Sequence, residues 1–265
     1  MELDICPLFS GSSGNSTYLS FGNTKILIDA GVSCKRVCEA LSMLEVRANE
    51  LSAIVVTHEH IDHIKGIGLL SRKYDIPVYA NELTWEAMLG VVGPIADKNM
   101  RVFQTGMDFF VKDVCIRPFS ISHDAADPVG YSFSAKGKKV SIVTDIGYMP
   151  ADVIEAVSYS DLLIIEANHD IDMLTAGRYP YHLKRRILST KGHLSNEACA
   201  NALVKLYEKN VKRVLLGHMS KENNAAEVAF CTIESILSEN GIVEGKDMFI
   251  DIALEDKATG LYKIV

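Results

Sequence analysis

Apolar and polar positions along the chain fall into short blocks, and the period of each block predicts an element. Residues 3–9, 17–21 and 24–28 are apolar and β-branched runs separated by Gly, Ser and Asn, the pattern of an opening antiparallel meander. Residues 32–44 carry apolar side chains at helical spacing, residues 53–56 (Ala-Ile-Val-Val) read as a short buried strand, and residues 64–74 return to the helical period. A second set follows, with strands over 114–120, 129–135 and 140–143 and helices over 196–209 and 223–239. In the first of these helices Ala198, Cys199, Ala202, Leu203 and Leu206 share a face, with Ser195 as N-cap. In the second, Ala226, Ala229, Phe230, Ile233, Ile236 and Leu237 do so. Strands and helices alternating in two similar halves predict an α/β fold. No linker, repeat or low-complexity stretch divides residues 1–265, so a single domain is expected.

Composition agrees with that picture. A chain of 265 residues, 48% apolar and 23% charged, has ordinary globular composition and length enough to bury a substantial core. The first residues lack a basic segment followed by a long apolar one, and no apolar run reaches membrane-spanning length. A cytoplasmic protein with no membrane partner is therefore expected. The six cysteines are scattered without a C-x-x-C pair, and Cys34 and Cys38, four apart on an expected helix, read as packing residues.

The chemistry concentrates in Thr57-His58-Glu59-His60-Ile61-Asp62-His63, directly after the apolar strand 53–56. Imidazole nitrogens and carboxylate oxygens at this density are the ligands that zinc, manganese and iron take. His58 and His60 lie two apart, so at an extended strand end their side chains leave on the same side. Asp62 and His63 fall at a helix start and address a neighbouring volume, which makes two ions the expectation. Glu59 is expected to face solvent. Asp29, Asp145 and His218 each follow a short apolar run, as residues at the ends of buried strands do, and ligand sites gather at such ends. Taken singly, Asp145 also reads as a turn residue and His218 as an ordinary loop histidine.

The run His58-x-His60-x-Asp62-His63 resembles the metal-binding signature of the metallo-β-lactamase superfamily. That resemblance implies a four-layer αββα sandwich and two divalent ions, manganese or zinc, with iron as a further option. It assigns His58, His60 and His123 to one ion and Asp62, His63 and His218 to the other, with Asp145 bridging and Asp29 holding the ligand loops by hydrogen bonds. A histidine at position 60, where diiron oxidoreductases of this fold carry glutamate, disfavours redox chemistry. Hydrolysis by attack of a metal-bridging hydroxide is the implied reaction.

The segment from Asp145 to His218 is too short for the β-CASP insertion of some nucleases of this fold. It holds Glu166-Ala167-Asn168 and Gly192-His193-Leu194-Ser195, which are similar to motifs of tRNA 3′-processing nucleases. By that likeness His193, its tautomer held by Glu166, protonates the leaving oxygen, and the two join Asp62 as catalytic groups. The residues alone also allow Glu166 as a strand-end turn former and His193 as a loop residue. Arg178, Lys184, Arg185, Arg186 and Lys191 form a basic stretch with Tyr179 and Tyr181, conspicuous on a chain of net charge −7. It suits docking of a phosphate backbone, and equally a solvated helix start.

Beyond the superfamily, the runs 9–16, 57–66, 77–81, 123–131, 166–170 and 218–224 resemble the YycJ/WalJ-type bacterial metallo-hydrolases. This resemblance implies a 5′-to-3′ exonuclease acting on double-stranded DNA in mismatch repair. The Gly/Ser-rich run 10–16 reads either as a phosphate cradle or as a turn between strands. Asn168, His169 and Asp170 match the pattern without a derivable role. The alternative activity is hydrolysis of a small cyclic or alkyl phosphodiester or of a thioester; a C-terminal segment that reads as strands disfavours the thioester.

Overall fold

The computed structural model describes residues 2–265, which divide into two units. The first comprises the described residues up to Ser120, with Ala125–Lys138 and Leu254–Val265; the second comprises Ile121–Asp124 and Lys139–Ala253. In chain order the first unit carries β1 (Leu3–Phe9), β2 (Ser16–Phe21), β3 (Thr24–Ile28), α1 (Cys34–Met43), β4 (Ala53–Val55), α2 (Ile61–Ile64), α3 (Ile67–Tyr74), β5 (Val78–Ala80), α4 (Glu82–Val92), β6 (Met100–Val102), β7 (Phe109–Val111), β8 (Val114–Ser120) and β9 (Val129–Ala135). The second carries β10 (Lys138–Val143), α5 (Ala151–Val157), β11 (Leu162–Glu166), α6 (Ile171–Ala176), α7 (Tyr181–Ile187), α8 (Asn196–Glu208), β12 (Arg213–Gly217), α9 (Ala226–Glu239) and β13 (Phe249–Ile252). The chain returns to the first unit for β14 (Tyr262–Ile264).

The first unit builds a seven-stranded sheet in the order β14-β1-β2-β3-β4-β5-β6. Its opening meander is antiparallel, and from β3 to β6 the pairing is parallel, with Ile28 opposite Val55 and Val55 opposite Tyr79. Parallel strands need crossovers, which α1, α3 and α4 supply. One apolar core forms beneath these helices, with Val37, Leu41, Ile64, Ile67, Leu70, Trp85 and Met88 packed on Leu27, Ile54 and Val78. Cys34 is buried in that core and Cys38 packs against it, as expected for packing residues. In the same unit β7, β8 and β9 form an antiparallel set.

In the second unit β10, β11, β12 and β13 pair in parallel, with Val143 opposite Ile165 and Glu166 opposite Gly217. Val140, Val143, Leu163, Ile165, Leu215 and Leu216 are fully buried, the continuous apolar signature of parallel strands covered on both faces. α8 buries Cys199, Ala202, Leu203 and Leu206 and packs on α9, which buries Ala229, Ile233 and Leu237.

Two expected helices differ in extent by more than two residues at one end. The helix expected over 64–74 is interrupted at Gly66, where a Cβ would lie 2.5 Å from the Val32 carbonyl oxygen. A close approach of the preceding loop thus splits the segment into α2 and α3. The helix expected over 223–239 begins at Ala226, because Asn224 donates its side-chain amide to the Ala167 backbone carbonyl and to Asn196 Oδ1, each 2.9 Å away.

Candidate metal centre and its supporting groups

The strand ends of the first unit place the histidine run. β4 ends at Val55, and the next residues leave the sheet as an extended segment that α2 stops at Ile61. His58 and His63 are fully buried, and their ring centroids lie 4.1 Å apart. His58 Nε2 stands 3.1 Å from His60 Nδ1. That is the separation expected of two imidazole nitrogens each about 2.0–2.1 Å from one ion. Asp62 Oδ2 lies 3.6 Å from His63 Nε2.

Asp29, at the end of β3, organises this cluster. It accepts from the Thr57 backbone N–H at 2.8 Å, from the Thr57 hydroxyl at 2.7 Å and from His63 Nδ1 at 2.7 Å. The Thr57 hydroxyl, having donated to Asp29, accepts from His58 Nδ1 at 3.0 Å. Both imidazoles therefore carry their proton on Nδ1 and present Nε2, as a neutral metal ligand must.

In the second unit the central group is Glu166, the last residue of β11 and fully buried. It accepts from His193 Nδ1 at 3.0 Å, His218 Nδ1 at 2.8 Å, and the backbone N–H groups of Asp145, Ile146 and Leu194 at 3.1, 3.2 and 2.7 Å. Burial pushes its carboxyl up, but the His193 and His218 rings outweigh burial and hold it at about 2. Burial acts to lower the His193 imidazole; the Glu166 carboxylate outweighs it and holds the ring above its ordinary value. One atom from each of Asp145, Glu166, His193 and His218 lies within 4.8 Å of the others. His123 Nδ1 donates to the Gly192 carbonyl at 3.2 Å, and burial holds its imidazole below its ordinary value.

Asp29, Asp145 and His218 share an unusual backbone, with φ of 58°, 56° and 52°. Side-chain-bearing residues visit the left-handed region seldom, and such conformations cluster at functional sites. Here each one turns the chain sharply just past a parallel strand.

The donor chemistry fits divalent cations. In the first unit His58 and His63 commit Nδ1 to an oxygen acceptor, so that Nε2 carries the lone pair a cation takes; His63 Nε2 lies 3.1 Å from Asn15 Nδ2 and 3.6 Å from Asp62 Oδ2. In the second unit His123 and His218 commit Nδ1 in the same way, with Asp145 beside them. Three features escaped sequence reasoning. Asn15, in the Gly/Ser-rich run, donates its backbone N–H to the Asp62 carbonyl at 2.7 Å and its side chain to Asp62 Oδ2 at 3.4 Å. That run is thus a brace on the ligand turn. Asn168 pins a strand end by donating to the His218 carbonyl at 2.9 Å, and Asp170 caps α6. Glu59 does not face solvent as expected: its Oε1 accepts from the Ala126 backbone N–H at 2.8 Å and its Oε2 is buried.

The basic stretch is divided in its contacts. Lys184 donates to the Thr175 and Gly177 carbonyls, each at 2.7 Å, closing the end of α6. Arg186 makes a two-pronged pair with Asp124, at 2.5 and 2.9 Å. The Arg185 guanidinium lies 5.9 Å from the Tyr181 ring centroid, and Arg178, Arg185 and Lys191 are exposed.

A family model described as Beta-lactamase superfamily domain matches residues 24–219, a span that includes every metal-ligand candidate. The chain belongs to that superfamily. It is 40% identical over 246 residues to exodeoxyribonuclease YycJ of Bacillus anthracis, covering 93% of each chain. It is also 40% identical over 259 residues to exodeoxyribonuclease WalJ of Streptococcus pneumoniae, covering 97% of this chain and 96% of the relative. The chain is thus a YycJ/WalJ-type metallo-hydrolase, an enzyme of the metal-dependent class. The metallo-β-lactamase fold protein YhfI from Bacillus subtilis superposes with a TM-score of 0.76 at 16% identity, covering 99% of this chain and 100% of its own. The α/β metallo-β-lactamase fold expected from the sequence is the fold found.

Proposed function

We propose that the two units act as one catalytic domain, a 5′-to-3′ exonuclease on double-stranded DNA. In this reading His58, His60 and His123 would hold one divalent cation and Asp62, His63 and His218 a second, with the Asp145 carboxylate serving both. The cations are manganese or zinc. Bound there, they would lower the pKa of water to about 7 and neutralise the charge of the phosphate.

The protein's own groups supply the rest. His193, anchored through Nδ1 on Glu166, turns Nε2 outward and protonates the departing 3′-oxygen. Glu166 stays ionised throughout and fixes the tautomer. Arg178, Arg185, Arg186 and Lys191 lie beside the DNA backbone, and Lys184 shapes the turn that carries them. The cellular setting is the cytoplasm and the role mismatch repair. The observation that carries this reading is the His193–Glu166 contact, in a chain 40% identical to exodeoxyribonucleases over nearly its whole length.

A substrate panel with manganese or zinc tests it: end-labelled duplex DNA, single-stranded DNA, RNA, bis-p-nitrophenyl phosphate and a glutathione thioester. Stepwise release of label from the 5′ end of the duplex is expected. Turnover confined to the thioester overturns the proposal.

A further inference from the structure

A cavity of about 620 Å³ opens in the first unit at the C-terminal ends of β5 and β6, its wall including Asn81, Leu83, Val102, Phe103, Thr105 and Asp127. β5 is the hydrogen-bonded neighbour of β4, the strand that delivers His58, and β6 is the next strand out. Strands lie about 4.8 Å apart, so this opening stands roughly 5–10 Å along the rim from the histidine run, about one nucleotide step. The segment 126–129 ties the two places together. Val129 N–H donates to the Thr57 carbonyl at 3.0 Å, and Ala126 N–H donates to Glu59. The Asp127 carbonyl accepts from Asn81 Nδ2 at 2.7 Å, and its carboxylate accepts from the Thr105 hydroxyl at 2.9 Å.

The lining selects the ligand. Leu83 and Val102 present apolar side chains that are 49% and 64% exposed, and the buried Phe103 also contributes to the lining. The charged groups of the lining are the carboxylates of Glu82 and Asp127. They repel a phosphate and suit the free 5′-hydroxyl of a terminal nucleoside. The volume lies within the range of small-ligand sites.

We propose that this cavity is the subsite for the terminal nucleoside, the one whose 3′-oxygen leaves. Leu83 and Val102 pack on the base face without reading its edge, which gives the sequence tolerance an exonuclease needs. This subsite rests on the exonuclease reading above.

The test uses Val102→Glu and Leu83→Ala in the full chain. KM for duplex DNA should rise about tenfold in each variant with kcat unchanged, and turnover of bis-p-nitrophenyl phosphate, which carries no nucleoside, should stay at the wild-type value. A duplex with an abasic 5′-terminal position should show the same KM with wild type and Leu83→Ala. Wild-type KM for intact duplex in both variants overturns the subsite. If the wild-type enzyme degrades no nucleic acid but hydrolyses bis-p-nitrophenyl phosphate, the exonuclease reading falls on its own. Thymidine inhibition of that hydrolysis then decides the subsite: inhibition weakened about tenfold in Val102→Glu upholds it, and absence of inhibition in wild type overturns it.

Discussion

Asp29 bonds Thr57 and His63 at once from a left-handed backbone, so one carboxylate fixes the tautomers of two imidazoles, one of them through a hydroxyl. Asp29→Ala removes the 2.7 Å carboxylate acceptor of His63 Nδ1 and the anchor of the Thr57 hydroxyl, so no carboxylate fixes either tautomer. Supporting carboxylates of this kind are worth about 10–100-fold in metal affinity, and a loss of that size is expected by competition with a chromogenic chelator. His193→Gln should behave differently: bound metal unchanged, turnover down about 10²–10⁴-fold. Full activity in that variant would remove His193 from the chemistry. Spacing made His58, His60, Asp62 and His63 candidates, and strand-end positions did the same for Asp29, Asp145 and His218, because both are local properties; His123 follows from no local pattern and came only from the family resemblance. Glu59 was misread because its partner, Ala126, lies far along the chain and no local pattern announces it. Asn15 was hidden in the same way, inside a run that any turn would explain equally well.

At the scale of elements, the turn that bears Asp62 and His63 is held by close backbone contact. A Cβ on Gly31 would lie 1.6 Å from the Asp62 carbonyl oxygen and 2.5 Å from the Asn15 nitrogen. Gly31→Ala must therefore push the loop after β3 away from α2, since backbone atoms cannot rotate aside as a long side chain can. A loss of about 3 kcal/mol is expected in urea unfolding, together with weakened metal binding. Wild-type stability in this variant would show that the loop adapts without cost. The strands β1, β3, β8 and β9 were legible to the residue because their apolar runs end at turn formers. The break between α2 and α3 was not, since the helical period runs on through Gly66 and only the Val32 carbonyl, brought in by tertiary packing, interrupts it.

For the whole molecule, the candidate ligands are divided between the units, with His58, His60, Asp62 and His63 in the first and His123, Asp145 and His218 in the second. In the folded chain most of these imidazoles are buried and already oriented, whereas the unfolded chain holds no such arrangement. Metal binding is then linked to folding, and cation at 100 times its dissociation constant stabilises the native state by about 2.7 kcal/mol. For a chain of this length that corresponds to roughly 5–10 °C in Tm. Chelation should lower Tm by this amount and abolish hydrolysis, and manganese or zinc should restore both. His60→Ala and Asp145→Ala, one from each unit, should each reduce the metal-dependent increment and the metal content, and His193→Gln should retain both. An increment lost in His60→Ala but intact in Asp145→Ala would remove Asp145 from the ligand set, and the proposed two-cation arrangement would have to be abandoned.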